Sequence, residues 1–292
     1  MVSVIIINYN TYQITCDCIG SVIEHTAVPY EIIVVDNASS ECDPALFQKK
    51  YPAIRLVRND QNVGFAAGNN AGIRVASGDV ILLLNSDTVL KEDAVGKTLQ
   101  FLQTHPQAGV VGCRMTYPDG TIQHTARRFR SFVWELSDLF RPFLYLLPYK
   151  KRASYMLGRY FKSDFVTECD WLNGAFFMFR RELLQQMPDQ KLDEQFFMYG
   201  EDHLWCWQIQ CLGYKNIFFP GTSIIHINNA STSPEKRLAL RKTMMAHETR
   251  ILKLRLGKGF RYQSTSFLFR VKEGVRNWIK KMVFRMTGTL LR

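Results

Sequence analysis

Three aliphatic runs of the chain end abruptly in amides and carboxylates. VSVIIINYN finishes on Asn8, Tyr9 and Asn10; EIIVVDNASS reaches Asp36, Asn37 and Ser39; DVILLLNSD breaks into Asn85, Ser86 and Asp87. Short β-branched runs of this kind read as buried strands. In an open parallel sheet, ligands bind outside the carboxyl ends of the strands, where such side chains can hydrogen-bond them. Each group alone is ordinary turn chemistry, because Asp, Asn and Ser bond their own backbone. Three successive strand ends furnished this way point to one shared crevice.

Other segments could also do chemistry. RNDQNVGFAAGNNAG carries Gly64, Gly68 and Gly72 among Asn59, Asn62, Asn69 and Asn70. Glycine lets the backbone approach a ligand closely, and a helix N-terminus beside it offers N–H groups to a phosphate. The pattern is neither GxGxxG nor GxxxxGK[ST], so a Rossmann dinucleotide site and a P-loop are both unsupported. Glu201 and Asp202 follow the aromatic FFMY, and apolar surroundings raise a carboxylate's pKa towards that of a general base. The competing reading is a helix start whose acids favour the macrodipole. His226 ends the apolar run SIIH. Trp171 opens WLNGAFFMFRR, where an indole face suits a sugar ring and equally a core. His124 and His203 carry no comparable argument.

The elements that must position these groups alternate. Strands are expected at 2–9, 30–37, 54–59, 79–87 and 108–115, with helices at 11–25, 69–76 and 92–104. Strand, helix, strand within this spacing is a right-handed crossover, so the fold class is α/β with a mainly parallel sheet and helices on both faces. Residues 117–165 are aromatic and basic without a clear period. Strand-like runs return at 171–181 and 216–228.

Composition bounds the rest. The chain has 292 residues, 47% of them hydrophobic, enough for one large domain with an appendage. No apolar run reaches the roughly 18–20 residues of a membrane-spanning helix. The start has no basic n-region, so it reads as a core strand and not a signal peptide. The seven cysteines form no CxxC pairs, so reduced thiols in a cytoplasmic protein are expected. Of the 37 basic and 26 acidic residues, 16 and 3 lie from Glu235 onward. The tail is therefore net +13 and the remainder net −2.

The ordered set VSVIIINYN, VVDNASS, NVGFAAGNNAG, LLLNSD, WLNGAFFMFRR, MYGEDHLW and IIHIN resembles the family 2 glycosyltransferases, and looks closest to their bacterial rhamnosyltransferase-like branch. The motifs are individually weak and specific in their order, over roughly residues 2–230. The resemblance implies a GT-A fold with a catalytic domain over 1–233, divided into a nucleotide-sugar half at 1–115 and an acceptor half at 116–233. It implies that Asp36 bonds a pyrimidine base, with Asn8, Asn10 and Asn37 lining the same pocket beside Gly64 and Asn69. Asn85-Ser86-Asp87 stands where the family has DxD, so Asp87 would bind a divalent metal, Mg²⁺ or Mn²⁺, with His226 as a further ligand. Asn85 departs from the pattern and removes one negative charge. Trp171, Asn173 and Gly174 match the motif flanking donor and acceptor. Asp202 would be the catalytic base, with Glu201 the second choice.

The implied reaction is inverting transfer of a sugar, with rhamnose one candidate, from a nucleoside-diphosphate sugar. The acceptor would be a saccharide or a lipid-linked saccharide in bacterial cell-surface polysaccharide synthesis. The alternatives are a nucleotidyltransferase and a non-catalytic membrane- or carbohydrate-binding module. Residues 234–292 lie beyond the resemblance and read as a basic amphipathic helical tail. Leu268, Val271, Val275, Trp278, Met282 and Leu290 recur there at helical spacing. Basic residues between them suit an anionic membrane surface, placing the enzyme peripherally on the inner face of the cell membrane. A chain ending near Ser233 is then expected to keep its donor site. No nucleic-acid motif accompanies the charge, so no nucleic-acid partner is expected.

Overall fold

The computed structural model describes residues 1–227 and 234–287. Its strands are β1 (Val2–Asn8), β2 (Tyr30–Asp36), β3 (Arg55–Arg58), β4 (Val80–Asn85), β5 (Thr88–Leu90), β6 (Ala108–Thr116), β7 (Ile122–Gln123), β8 (Ala126–Arg127), β9 (Thr167–Cys169), β10 (Trp171–Leu172), β11 (Phe176–Arg180) and β12 (Lys215–His226). The helices are α1 (Tyr12–His25), α2 (Ala45–Lys50), α3 (Gly64–Val75), α4 (Ala94–Thr104), α5 (Phe132–Leu139), α6 (Arg141–Leu144), α7 (Tyr149–Met156), α8 (Glu201–Cys211), α9 (Pro234–Leu256) and α10 (Phe260–Thr287).

The main sheet runs β3-β2-β1-β4-β11-β6-β12-β5. β1, β2, β3 and β4 are mutually parallel, whereas β11 runs antiparallel to both β4 and β6. The sheet is thus mixed and mostly parallel, with a GT-A architecture. Period-two alternation feeds two layers. Val4 and Ile6 pack with Ile19 and Val22 of α1 and with Leu102 of α4. Ile5 and Val35 pack on the other face with Ala66 of α3 and with Trp205 and Ile209 of α8. Each fully buried Ile, Leu or Phe stabilises this arrangement by about 1.5–3 kcal/mol. That outweighs the cost of about 1 kcal/mol that each interior glycine of α3 imposes on its helix.

Two local departures from the expected elements matter for the site. Helix α3 begins at Gly64, five residues before the expected Asn69. Gly64 has φ +85°, and a Cβ there would lie 2.3 Å from the Phe197 carbonyl oxygen. Asn62 Oδ1 accepts from the Gly64 N–H at 3.0 Å and closes the turn. The strand expected at 79–87 ends at Asn85, and a turn at Ser86 and Asp87 leads into a separate short strand, β5. The turn lifts Asp87 out of the sheet.

The boundary expected at Ser233 lies outside the described residues. Beyond it, α9 and α10 pack on the rest of the fold, burying Ile251 beside Phe196 and Leu204. Phe269 of α10 is buried under the Arg130 guanidinium, 4.1 Å from its ring centre.

Candidate functional site

One edge of the sheet gathers the singled-out residues. β2, β1 and β4 are neighbours, and their registers set Asn8 beside Asp36 and Ile7 beside Asn85. β11 starts at the same edge because it is antiparallel to β4, with Phe176 opposite Leu84.

At the β1/β2 end, Asn8 Nδ2 donates to Asp36 Oδ1 (2.8 Å) and to Ser39 Oγ (2.9 Å). Asn8 Oδ1 accepts from Thr11 (3.1 Å) and Thr15 (2.9 Å), which uses the amide's whole capacity. Asn8 therefore orients Asp36. Asp36 Oδ2 accepts from the Ser39 N–H at 3.0 Å, and a carboxylate has about four lone-pair sites, so capacity remains for an incoming donor. Asn10, at φ 54°, folds the following loop by accepting from the N–H groups of Ser40 (2.8 Å) and Glu41 (3.2 Å). Asn37 donates to Asn62 Oδ1 (3.2 Å) and the Gly64 carbonyl (3.0 Å), pinning the start of α3 beneath the crevice. Asn69 is buried and donates to the Phe65 carbonyl of its own helix at 3.0 Å.

At the β4 end, Asp87 Oδ1 lies 3.2 Å from His226 Nε2. The antiparallel pairing of β5 with β12, His226 opposite Thr88, brings them together. His226 Nδ1 meets Gln123 Oε1 at 2.8 Å, while Gln123 Nε2 donates back to the His226 carbonyl at 2.5 Å. With an amide oxygen facing it, Nδ1 carries the proton and Nε2 is turned towards Asp87. Beside them, Asn85 Oδ1 is buried without a hydrogen-bond partner. An unpaired oxygen, a carboxylate and an imidazole nitrogen fit a divalent cation that completes its shell from phosphate oxygens and water. Among the described residues no group of three or more His, Cys, Asp and Glu side chains is arranged for a metal. Gln123 was not foreseen: it sits in the aperiodic stretch, and nothing in its neighbours marks it.

The turn Asn173-Gly174-Ala175 joins the two halves. The Asn85 N–H donates to the Ala175 carbonyl at 3.0 Å, and the Gly174 N–H donates to Asp202 Oδ2 at 3.2 Å. Asp202 and Glu201 open α8 after Gly200, which has φ +108°. They are not equivalent. Glu201 is 6% exposed with Oε2 unpartnered, and burial, reinforced by the Asp202 charge, pushes its pKa up to about 8. At neutral pH it is mostly a neutral acid. The apolar effect expected for the base thus falls on Glu201, while Asp202 takes the N–H groups of the crevice side.

Next to Asp202, the Trp171 indole lies against the His203 ring, centroids 3.4 Å apart. His203 Nδ1 is 3.2 Å from Glu248 Oε2 of α9. Burial opposes the Glu248 charge, yet His203, Arg130 and Arg255 hold its pKa down to about 2. The Arg127 guanidinium stands 5.5 Å over the other reach of Trp171. His203 and Glu248 were both missed, because their roles come from a helix far away in sequence. A cavity of about 620 Å³, lined by Arg74, Asp79 and Arg181, lies at the opposite end of β4 and contains none of these groups.

Comparisons with known proteins bear on this edge. The profile of "Glycosyl transferase family 2" matches residues 3–187. N-acetylglucosaminyl-diphospho-decaprenol L-rhamnosyltransferase of Mycobacterium tuberculosis is 25% identical over 228 residues, covering 73% of this chain and 72% of that protein. An uncharacterized protein of Sinorhizobium fredii is 26% identical over 222 residues, 73% of this chain, and the match spans only 23% of that protein's length. Among solved structures, a mannosyltransferase of Pyrobaculum calidifontis in complex with GDP-Man and Mn²⁺ superposes with a TM-score of 0.61 at 19% identity, over 91% of this chain and 69% of that one.

Proposed function

This chain belongs to glycosyl transferase family 2, and from that premise we propose that it is an inverting enzyme using a nucleoside-diphosphate sugar and a lipid-linked saccharide acceptor. Sugar transfer follows from the family; donor, acceptor and stereochemistry are our reading. The single observation that carries it is the 173–175 turn, which ties Asn85 of the donor side to Asp202 of the acceptor side.

In this reading Asp36, held by Asn8 and the Ser39 N–H, accepts from the nucleobase. A divalent cation, Mg²⁺ or Mn²⁺, held by Asp87 and His226 beside the Asn85 oxygen, would supply positive charge at the leaving diphosphate. Structural neighbours solved with GDP-Man and Mn²⁺, and with UDP (TarS of S. aureus), support this donor class. Trp171 offers its face to a sugar ring. The acceptor hydroxyl gives its proton to the Asp202 carboxylate as its oxygen bonds the anomeric carbon. The bond from that carbon to the diphosphate oxygen breaks on the opposite face, and configuration inverts. Rhamnose as the donor sugar and a lipid diphosphate on the acceptor rest on the mycobacterial relative's name. The basic tail would hold the enzyme at the cytoplasmic face of an anionic membrane.

A panel of sugar nucleotides, with and without Mn²⁺, followed by Asp202→Asn, tests the assignment. We expect kcat to fall by about 10²–10⁴-fold with donor affinity near wild type, the usual worth of a general base. Glu201→Gln should leave kcat within about tenfold, since the side chain is already neutral. The reverse pattern would move the base to Glu201.

A further inference from the structure

Helix α10 is turned the wrong way round for a helix in water. Its inner side, through Thr265, Phe269 and Glu273, is buried against the fold. Lys272 on that side reaches Glu135 and, at 2.8 Å, Asp138 of α5. Its outer side carries Phe267, Val271, Val275, Trp278 and Met282, a single stripe at i, i+4, i+8, i+11 and i+15. Phe267 is 70% exposed and Trp278 63%. Amphipathic helices normally bury the apolar stripe and hydrate the charges. Here Lys272 and Glu273 are spent inward while the apolar stripe faces outward, an exposed apolar patch of the kind that marks an interaction surface.

The same holds for the element that α10 grips. α5, α6 and the turn after them leave Val133, Leu139, Phe140, Phe143, Tyr145 and Leu146 exposed, with Leu146 at 82% and Phe143 at 67%. α10 packs along α5, which brings the two exposed apolar sets onto neighbouring elements although they lie more than a hundred residues apart in sequence. Their inner lining is an ion cluster that holds its shape: Asp138 also accepts from the Tyr160 hydroxyl at 2.9 Å, and Arg130 pairs with Glu135 and, at 3.1 Å, with Glu248.

The charge on the page selects what covers it. The chain from Glu235 onward is net +13, and Arg270 stands exposed beside the stripe. A cationic, Trp- and Tyr-bearing apolar face suits the boundary between anionic headgroups and acyl chains. None of the described helices is long and apolar enough to cross a membrane, so the fit is to lying on one. We propose that α5–α6 and the outer stripe of α10 form one composite face that seats in an anionic lipid surface. This deepens the proposed membrane-surface reading and rests on it for the lipid partner. Glu248 of α9, which packs on α10, pairs with His203 beside Trp171, so docking would set the acceptor side of the site against the bilayer.

The full-length chain is to be co-sedimented with vesicles of equal parts phosphatidylglycerol and phosphatidylcholine, and with phosphatidylcholine alone. Binding should require the anionic lipid and weaken as salt rises. Phe143→Glu with Leu146→Glu on the α6 side, and separately Val275→Glu with Trp278→Glu on α10, should each cut binding by at least about tenfold. Both should keep the wild-type melting temperature. Loss in the α10 pair alone would reduce the face to a tail anchor and overturn the proposal. So would absence of vesicle binding, or self-association in analytical ultracentrifugation that the same variants abolish, which would assign the face to a second copy. Sugar-nucleotide hydrolysis without vesicles depends only on the transfer site. Its absence in the wild type would sink the functional reading and leave the lipid result standing.

Discussion

Among single residues, the sharpest contrast is between the adjacent acids Glu201 and Asp202. Sequence marks both through the preceding aromatics, and cannot say which one the helix start buries. The structure buries Glu201 and raises its pKa from the ordinary 4.5 to about 8. The native state then holds a proton that the unfolded chain has already lost between those values, so stability falls as pH rises from about 4.5 to about 8 and levels off above. Each unit of that shift corresponds to about 1.4 kcal/mol. Glu201→Gln cannot ionise, and should flatten the dependence. Thermal melts across this window should show the variant gaining on the wild type with rising pH. Parallel pH–stability curves would mean that Glu201 is ionised in the fold. Asp36 and Asp87 were legible for a simpler reason: each ends an aliphatic run, where the physics of a parallel sheet already locates a ligand edge.

At the level of elements, residues 1–115 follow their sequence in the order of strands and helices, apart from the early start of α3 and the turn at Ser86 and Asp87. Residues 116–233 do not. The run 171–181 is two strands, β10 and β11, divided at the Asn173-Gly174 turn, and β11 inserts antiparallel between β4 and β6. Nothing local dictates that insertion; it is a tertiary choice that creates the turn beside Asp202. The two-residue strand β7 is equally invisible in sequence, yet pairing with β6 sets Gln123 against His226. If that amide fixes the imidazole for a cation, Gln123→Leu should weaken Mn²⁺ affinity by about 10–100-fold, the usual effect of losing a ligand's supporting hydrogen bond. Titration of Mn²⁺ by electron paramagnetic resonance in the presence of nucleoside diphosphate measures this directly. Unchanged affinity would leave Gln123 a purely structural contact.

The whole molecule differs most from its sequence in how the tail is used. The helical spacing of the tail was legible; its polarity relative to the fold was not, because the partners of Lys272 are Glu135 and Asp138, far away in the aperiodic stretch. Glu135 has a fully buried side chain and Lys272 one that is 12% exposed. Removing one member of such a cluster leaves the other charges buried and uncompensated, whereas removing charge from both sides largely relieves the penalty. Lys272→Met should therefore destabilise the full-length chain by about 3–5 kcal/mol. Adding Glu135→Gln should restore much of that loss, because the two sites are in contact and their effects are not additive. Urea denaturation of the two single variants and the double variant measures the coupling. The same reasoning bears on a chain ending near Ser233. Losing α9 and α10 strands Arg130 and Glu135 without Glu248 and Lys272 and uncovers Phe196, so a lower midpoint and a disturbed acceptor side are expected along with lost vesicle binding. A truncated chain with a wild-type midpoint, together with additive effects in the Lys272 and Glu135 cycle, would make the tail a tethered appendage and not a wall of the catalytic domain.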